Sequence, residues 1–189
     1  MTKKQPYRVV RSYDDFELRS YPQHLLAEVI TPGPFEGAGN RAFRNLFAYI
    51  SGQNQGSRKV AMTAPVVQAE ASTKIAMTAP VVQQSVDASA DTFRVAFVLP
   101  EGMTEDTAPQ PTDPLVTLRT VPESLAGVIR FTGSWSQASY QRHLDKLHRA
   151  LGAAGLTAVG APRYARFDPP LTPWFLRRNE IVLDVQPPH

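Results

Sequence analysis

A set of matching residues recurs after 100 positions, and this restricts the chain to folds that two similar halves can build. Leu18-Arg19-Ser20-Tyr21-Pro22-Gln23-His24-Leu25 is answered by Leu118-Arg119-Thr120-Val121-Pro122-Glu123-Ser124-Leu125. The register continues, with Val29 against Ile129, Gly33 against Gly133 and Gly52 against Gly152. The same local patterns surround both copies. In the first, Tyr7 to Ser12 and Phe16 to Tyr21 read as strands, Pro22 breaks the second, and Leu25 to Thr31 resumes as a strand. After the Pro32-Gly33-Pro34 turn, Phe43, Leu46, Phe47 and Ile50 fall on one helical face. Gly52 is placed to end that helix.

The second copy repeats this order. Val116 to Val121 and Leu125 to Thr132 read as strands. A helix follows from Ser136, a good N-cap residue, to Leu151, with Tyr140, Leu144, Leu147 and Leu151 as its apolar stripe. Arg163 to Phe167 and Glu180 to Val185 supply two more strands. The predicted class is α+β, with two pseudo-symmetric halves of ββαββ type, about 7–100 and 115–186, forming one domain over 1–189. Two half-sheets packed together, flanked by two helices, are expected to bury the apolar faces. The Pro- and Thr-rich stretch 101–114 reads as the link between the halves.

A shorter repeat lies inside the first half. Lys59 to Gln68 and Lys74 to Gln83 share nine of ten residues, differing only in Val60 and Ile75. Each carries Ala-Met-Thr-Ala-Pro-Val. The two copies are expected to pair as antiparallel strands, with bulges or edges at Pro65 and Pro80, which have no N–H to donate.

Composition excludes several chemistries. There is no Cys, so thiolate metal sites, a catalytic Cys and covalent haem attachment are ruled out. Net charge is +3 without a long basic run, which argues against a nucleic-acid surface. No stretch approaches the ~20 apolar residues of a membrane span, and the start of the chain has no apolar leader-like segment. A cytoplasmic protein is expected. No nucleophile elbow, metal-ligand spacing or phosphate loop is present, so binding is expected rather than catalysis.

Four segments in order, Tyr49 to Asn54, the duplicated Ala-Met-Thr-Ala-Pro-Val, Phe93 to Pro100, and Tyr164 to Glu180 with its Arg177-Arg178-Asn179-Glu180 run, resemble the SOUL family of haem-binding proteins. The resemblance implies a distorted antiparallel β-barrel with two helices and non-covalent binding of haem or another tetrapyrrole, for storage, transport or buffering. It also implies basic residues on the first helix that reach the haem propionates. At the matching places this chain has Asn40 and Ala48, with Arg41 and Arg44 nearby.

A tetrapyrrole needs a flat apolar slot, cations near its carboxylates and usually an axial ligand for its iron. Phe43, Leu46, Phe47, Ile50, Met62 and Met77 are the candidate walls. The same stripe also suits the core face of an amphipathic helix. Arg44 and Arg177 are the candidate propionate partners, although one Arg of the Arg177-Arg178 pair suits a structural tie to Asp168. His24 and His143 are the candidate iron ligands, with the Met residues behind them. Two rival readings stand beside this one. The duplicated scaffold is also similar to gyrase-inhibitor-like effector domains, implying a small-molecule sensor or a hydrolase using a buried Glu28 or Glu180. Alternatively, Trp174-Phe175-Leu176 forms an apolar contact for another protein.

Overall fold

The computed structural model describes residues 3–56, 72–86, 91–169 and 171–187. The elements of the first half are β1 (Lys3–Lys4), β2 (Arg8–Ser12), β3 (Glu17–Tyr21), β4 (His24–Pro32), α1 (Phe35–Ile50), β5 (Asn54–Gln55), β6 (Thr78–Ser85) and β7 (Thr92–Val98). The second half holds β8 (Gln110–Pro111), β9 (Thr117–Val121), β10 (Ser124–Thr132), α2 (Gln137–Ala153), β11 (Arg163–Arg166) and β12 (Arg178–Asp184), with a 3-10 turn at Trp174–Leu176. Strands and helices fall within a few residues of the sequence expectation. The first Ala-Met-Thr-Ala-Pro-Val copy, with Met62 and its expected pairing, lies outside the described residues. The second copy opens β6, whose register against β7 shifts between Thr78 and Val81, around Pro80.

The main sheet runs β2-β3-β10-β12-β11-β6-β7-β4-β9, with antiparallel pairing throughout this path. The short β1 pairs parallel with β6. From β3 onward the order mirrors itself: β3, β10, β12 and β11 on one side answer β9, β4, β7 and β6 on the other. The register follows the same rule. Leu18 pairs with Gly127 and Ser20 with Leu125; Ala27 pairs with Leu118 and Leu25 with Thr120. The halves join edge to edge through β6 and β11, so that the packed half-sheets expected from the sequence form one continuous antiparallel sheet. The reason is that each half lends a strand to the other, β3 to β10 and β9 to β4, which leaves no separate half-sheets to stack.

The sheet curls because of its connections. Only Pro22 and Gln23 separate β3 from β4, yet these strands lie towards opposite ends of the sheet. Three Cα steps reach at most ~11 Å, so the two ends approach each other. The link from Val121 to Ser124 imposes the same constraint.

Both helices pack on one face. α1 buries Phe35, Ala38, Ala42, Leu46, Tyr49 and Ile50, and α2 buries Tyr140, Leu144, Leu147 and Leu151. Ser136 caps α2 by accepting the Ser139 N–H at 3.2 Å, as its place before the stripe predicts. Gly52 follows the end of α1 with φ +119°, a conformation that favours glycine. Gly127 lets α2 sit close to β10, since a Cβ there would come 2.7 Å from Leu151 Cδ2. Among the described residues no helix is long and apolar enough to cross a membrane.

Candidate functional site

The β6–β11 seam has a concavity on each face. Strand alternation decides which residue reaches which. Met77, Ala79 and Val81 line a crevice on the helix side, together with Gly39, Asn40 and Phe43 of α1. Pro80, Val82 and Gln84 line the barrel interior on the other side. The Met-Thr-Ala-Pro-Val pattern thus gives alternate side chains to two different spaces.

The crevice has a volume of about 390 Å³, inside the ~300–1,000 Å³ range of ligand clefts. Its other walls come from Trp135 and from the strand end and loop Arg166 to Pro169. Phe43 stands at its rim, 39% exposed, stacked on Phe47 at 5.5 Å and edge-on to Phe97 at 5.5 Å. Arg166 is buried in the wall. Its Nη2 donates to Gln83 Oε1 at 3.0 Å, and Gln83 Nε2 donates in turn to the Phe35 carbonyl at 3.0 Å. Its guanidinium lies 4.8 Å from the Trp135 ring centre, and that of Arg177 lies 4.7 Å from the same ring.

The interior space is smaller, about 200 Å³, and its lining carries paired charges. Arg19 grips Glu180 through two hydrogen bonds of 2.9 and 3.1 Å. Arg178 and Arg130 reach the same carboxylate at 2.8 and 3.2 Å. Arg163 holds Asp184 through bonds of 2.6 and 2.8 Å, and Arg119 holds Glu28 at 2.9 Å. Burial works against the Glu180 charge, but Arg19 and then Arg178 outweigh it and bring its pKa below the ordinary value. Burial likewise opposes the Arg19 charge, and Glu180 again outweighs it, so its pKa is raised. Burial pushes the Tyr21 hydroxyl up to about 12.

The structure separates the residues singled out from the sequence. Phe43 and Met77 line the crevice. Leu46 and Ile50 are buried under α1, 0% and 4% exposed, and are part of the core. Phe47 is not among the described lining residues and stacks on Phe43. The stripe divides because the buried face of α1 centres on Ala38, Ala42 and Leu46, a quarter-turn away from Phe43 and Phe47. Arg44 is exposed on α1. Arg177 stacks on Trp135 and donates from Nε to the Thr172 carbonyl at 2.7 Å. The structural tie to Asp168 comes from its neighbour, whose backbone N–H donates to Oδ2 at 2.6 Å.

Neither candidate iron ligand faces the crevice. His24 lines the barrel interior, where Nδ1–H donates to the Pro22 carbonyl at 2.9 Å and burial lowers its pKa. His143 stacks on Phe131 at 3.8 Å, and its Nδ1–H donates to the Ser139 carbonyl at 2.7 Å. Among the described lining residues of the crevice there is no His, and the only sulfur is that of Met77.

A family model described as "SOUL heme-binding protein" matches residues 2–72 and 68–184. The chain belongs to the SOUL family. A search of curated proteins finds no significant match. Solved structures share the fold at low identity. The EcmrR C-terminal domain superposes with a TM-score of 0.62 at 10% identity, over 95% of this chain and 98% of that one. A hydrolase from Listeria innocua gives 0.60 at 13%, covering 94% of each chain. The protein SAV2435, solved bound to tetraphenylphosphonium, gives 0.52 at 10%, over 91% of this chain and 94% of that one.

The family implies haem, and the crevice residues test the fit. An apolar slot with a buried guanidinium in its wall suits the body and the carboxylates of a porphyrin. The iron is less well served, since the described lining offers the Met77 thioether and no imidazole.

Sequence reasoning missed Trp135 and Arg166. The Arg163-Tyr164-Ala165-Arg166 strand does carry a signal: arginines three apart on a strand must face opposite sides. One was therefore bound for the helix face, where charge is out of place.

Proposed function

We propose that the crevice beside α1 holds haem or a related tetrapyrrole without a covalent bond, and that the protein stores, carries or buffers it. The observation that carries this reading is the apolar crevice itself, set between α1 and the seam in a chain of the SOUL family. Phe43, Met77, Ala79 and Val81 would form its walls. In this reading the protein is one cytoplasmic domain grown by duplication of a half. The mirrored strand order supports the duplication, and the lack of Cys suits a reducing compartment.

Titration with haemin tests it. The expected result is a saturable Soret shift at one equivalent. Phe43→Asp puts a charge at the rim of the slot at a half-exposed position and should weaken binding at least tenfold with an unchanged circular dichroism spectrum. No shift at micromolar haemin would defeat the reading. The neighbour solved with tetraphenylphosphonium suggests a lipophilic-cation sensor as a second reading. The buried Arg166 guanidinium works against it, and titration with tetraphenylphosphonium separates the two.

A further inference from the structure

Arg166 is out of place in an apolar wall. It is 6% exposed, and no carboxylate among the described residues forms an ion pair with it. Its Nη2 finds only the amide oxygen of Gln83, and its plane rests near the rings of Trp135 and Phe35, 4.8 and 5.9 Å from their centres. Its Nε is buried without a hydrogen-bond partner, and so is Nε1 of Trp135. Burial lowers its pKa, yet a guanidinium stays charged at neutral pH. The Tyr140 hydroxyl and, without an ion pair, the Glu36 carboxylate favour its charge, but a buried cation with no ion-paired carboxylate is unfavourable, and a group of this kind beside a cleft is a candidate to be completed by an outside partner.

The backbone makes room for this group. Gly39 sits inside α1, where glycine is a poor helix former. A Cβ at that position would come 2.9 Å from Arg166 Nη1. Gly39 and Arg166 both line the crevice, and Nη1 makes no hydrogen bond among the described residues. A gap in the helix therefore leaves the outer edge of the guanidinium at the crevice.

We propose that Arg166 is the anion anchor of the crevice, pairing its guanidinium with the carboxylate of a flat, apolar acid, while Trp135 contributes a ring face and an N–H donor. This rests on the crevice being the ligand site, as proposed above. It adds a direction: the acid-bearing edge of the ligand points inward to β11. Exposed Arg44 on α1 would require that edge to point outward.

The test compares protoporphyrin IX with its dimethyl ester, which keeps the ring and removes the charge. Arg166→Met, Trp135→Phe and Arg44→Met are each titrated with both, following porphyrin fluorescence. A charge-assisted fork makes the acid bind about 10- to 100-fold tighter than the ester in the wild type. Arg166→Met should bring the acid down to the level of the ester and leave the ester unchanged. Trp135→Phe should weaken the acid several-fold, and Arg44→Met should leave the ratio intact. The ligand-free Arg166→Met protein should melt no lower than the wild type, because a merely structural Arg would lower both the melting point and ester binding. An acid-to-ester ratio near one in the wild type, or a ratio that survives Arg166→Met, overturns the proposal even if haemin binds. If neither porphyrin binds, the tetrapyrrole reading falls and a smaller pair decides: pyrenebutyrate against pyrenebutanol. An Arg166-dependent preference for the acid upholds the anchor, and its absence overturns it.

Discussion

The two faces of the β6–β11 seam treat charge in opposite ways. On the barrel side the buried acids have cations: Glu180 has Arg19, Arg178 and Arg130, and Glu28 has Arg119 and Arg94, while the partly exposed Asp184 has Arg163. On the helix side Arg166 has an amide, two rings and the Tyr140 hydroxyl, with Glu36 acting on it electrostatically but no carboxylate in an ion pair among the described residues. The strands are the same, and their residues alternate between the two faces. A set of ion-paired charges leaves no uncompensated charge for a guest, even though Arg178 Nε and Arg94 Nε are buried without a hydrogen bond. An open one costs stability and leaves an attachment point. The contrast supports the proposal that the crevice, and not the barrel interior, is the site.

The sharpest way to break this comparison is to open the closed side. Glu180→Ala takes the shared carboxylate from three guanidinium groups and leaves the buried Arg19 with Glu17 alone, and removal of one partner from such a set costs about 3–5 kcal/mol. Urea unfolding should show that loss, while haemin affinity per folded molecule stays unchanged. An affinity that falls in step with stability would mean that the two faces are not independent.

Acid should strip the same set more gently. Glu180 has a folded pKa below its ordinary 4.5, through Arg19 and Arg178 acting against burial. Its stabilisation is fully present above about 4.5, the unfolded value, and is lost as pH falls through the lower folded value. The urea midpoint of the wild type should drop steeply over that window. Glu180→Gln should start lower and fall less. Equal slopes would show that other carboxylates carry the acid response.

How much of this was legible in the chain itself depends on range. The α+β class, the strand and helix order and the Ser136 cap follow from spacings of a few residues, and the structure reproduces them. Alternation even announces that Arg163 and Arg166 part company. The acid that meets Arg163, by contrast, is Asp184, and Arg19, besides its strand neighbour Glu17, meets Glu180, 161 positions away. No local pattern pairs such residues. The α1 stripe was misplaced for a related reason. Phe43 and Phe47 are large apolar groups, but the buried face of the helix runs through Phe35, Ala38, Ala42, Leu46, Tyr49 and Ile50, which keeps Leu46 and Ile50 of the stripe and leaves the two phenylalanines outside. Periodicity locates an apolar face only to within a residue or so, and tertiary packing chooses the exact one.

Two glycines give the finest test. Gly127 and Gly39 both sit where a Cβ would crowd a neighbour, at 2.7 Å from Leu151 Cδ2 and 2.9 Å from Arg166 Nη1. The neighbours differ in freedom. Leu151 is 1% exposed in the core between α2 and β10 and has nowhere to go, so Gly127→Ala should cost about 1–3 kcal/mol in urea unfolding. Arg166 presents the free end of a long side chain to a crevice that has room. In Gly39→Ala the guanidinium can swing aside, and the helix gains up to about 1 kcal/mol from the better helix former. Net stability should therefore be level or slightly higher. The displaced guanidinium should at the same time lose its hold on an acid ligand, so protoporphyrin IX binding weakens while its dimethyl ester is unaffected. A Gly39→Ala protein that is as damaged as Gly127→Ala would mean that the helix-side gap is filled by packing like any other part of the core, and the contrast between the two faces would fail at the residue built to show it.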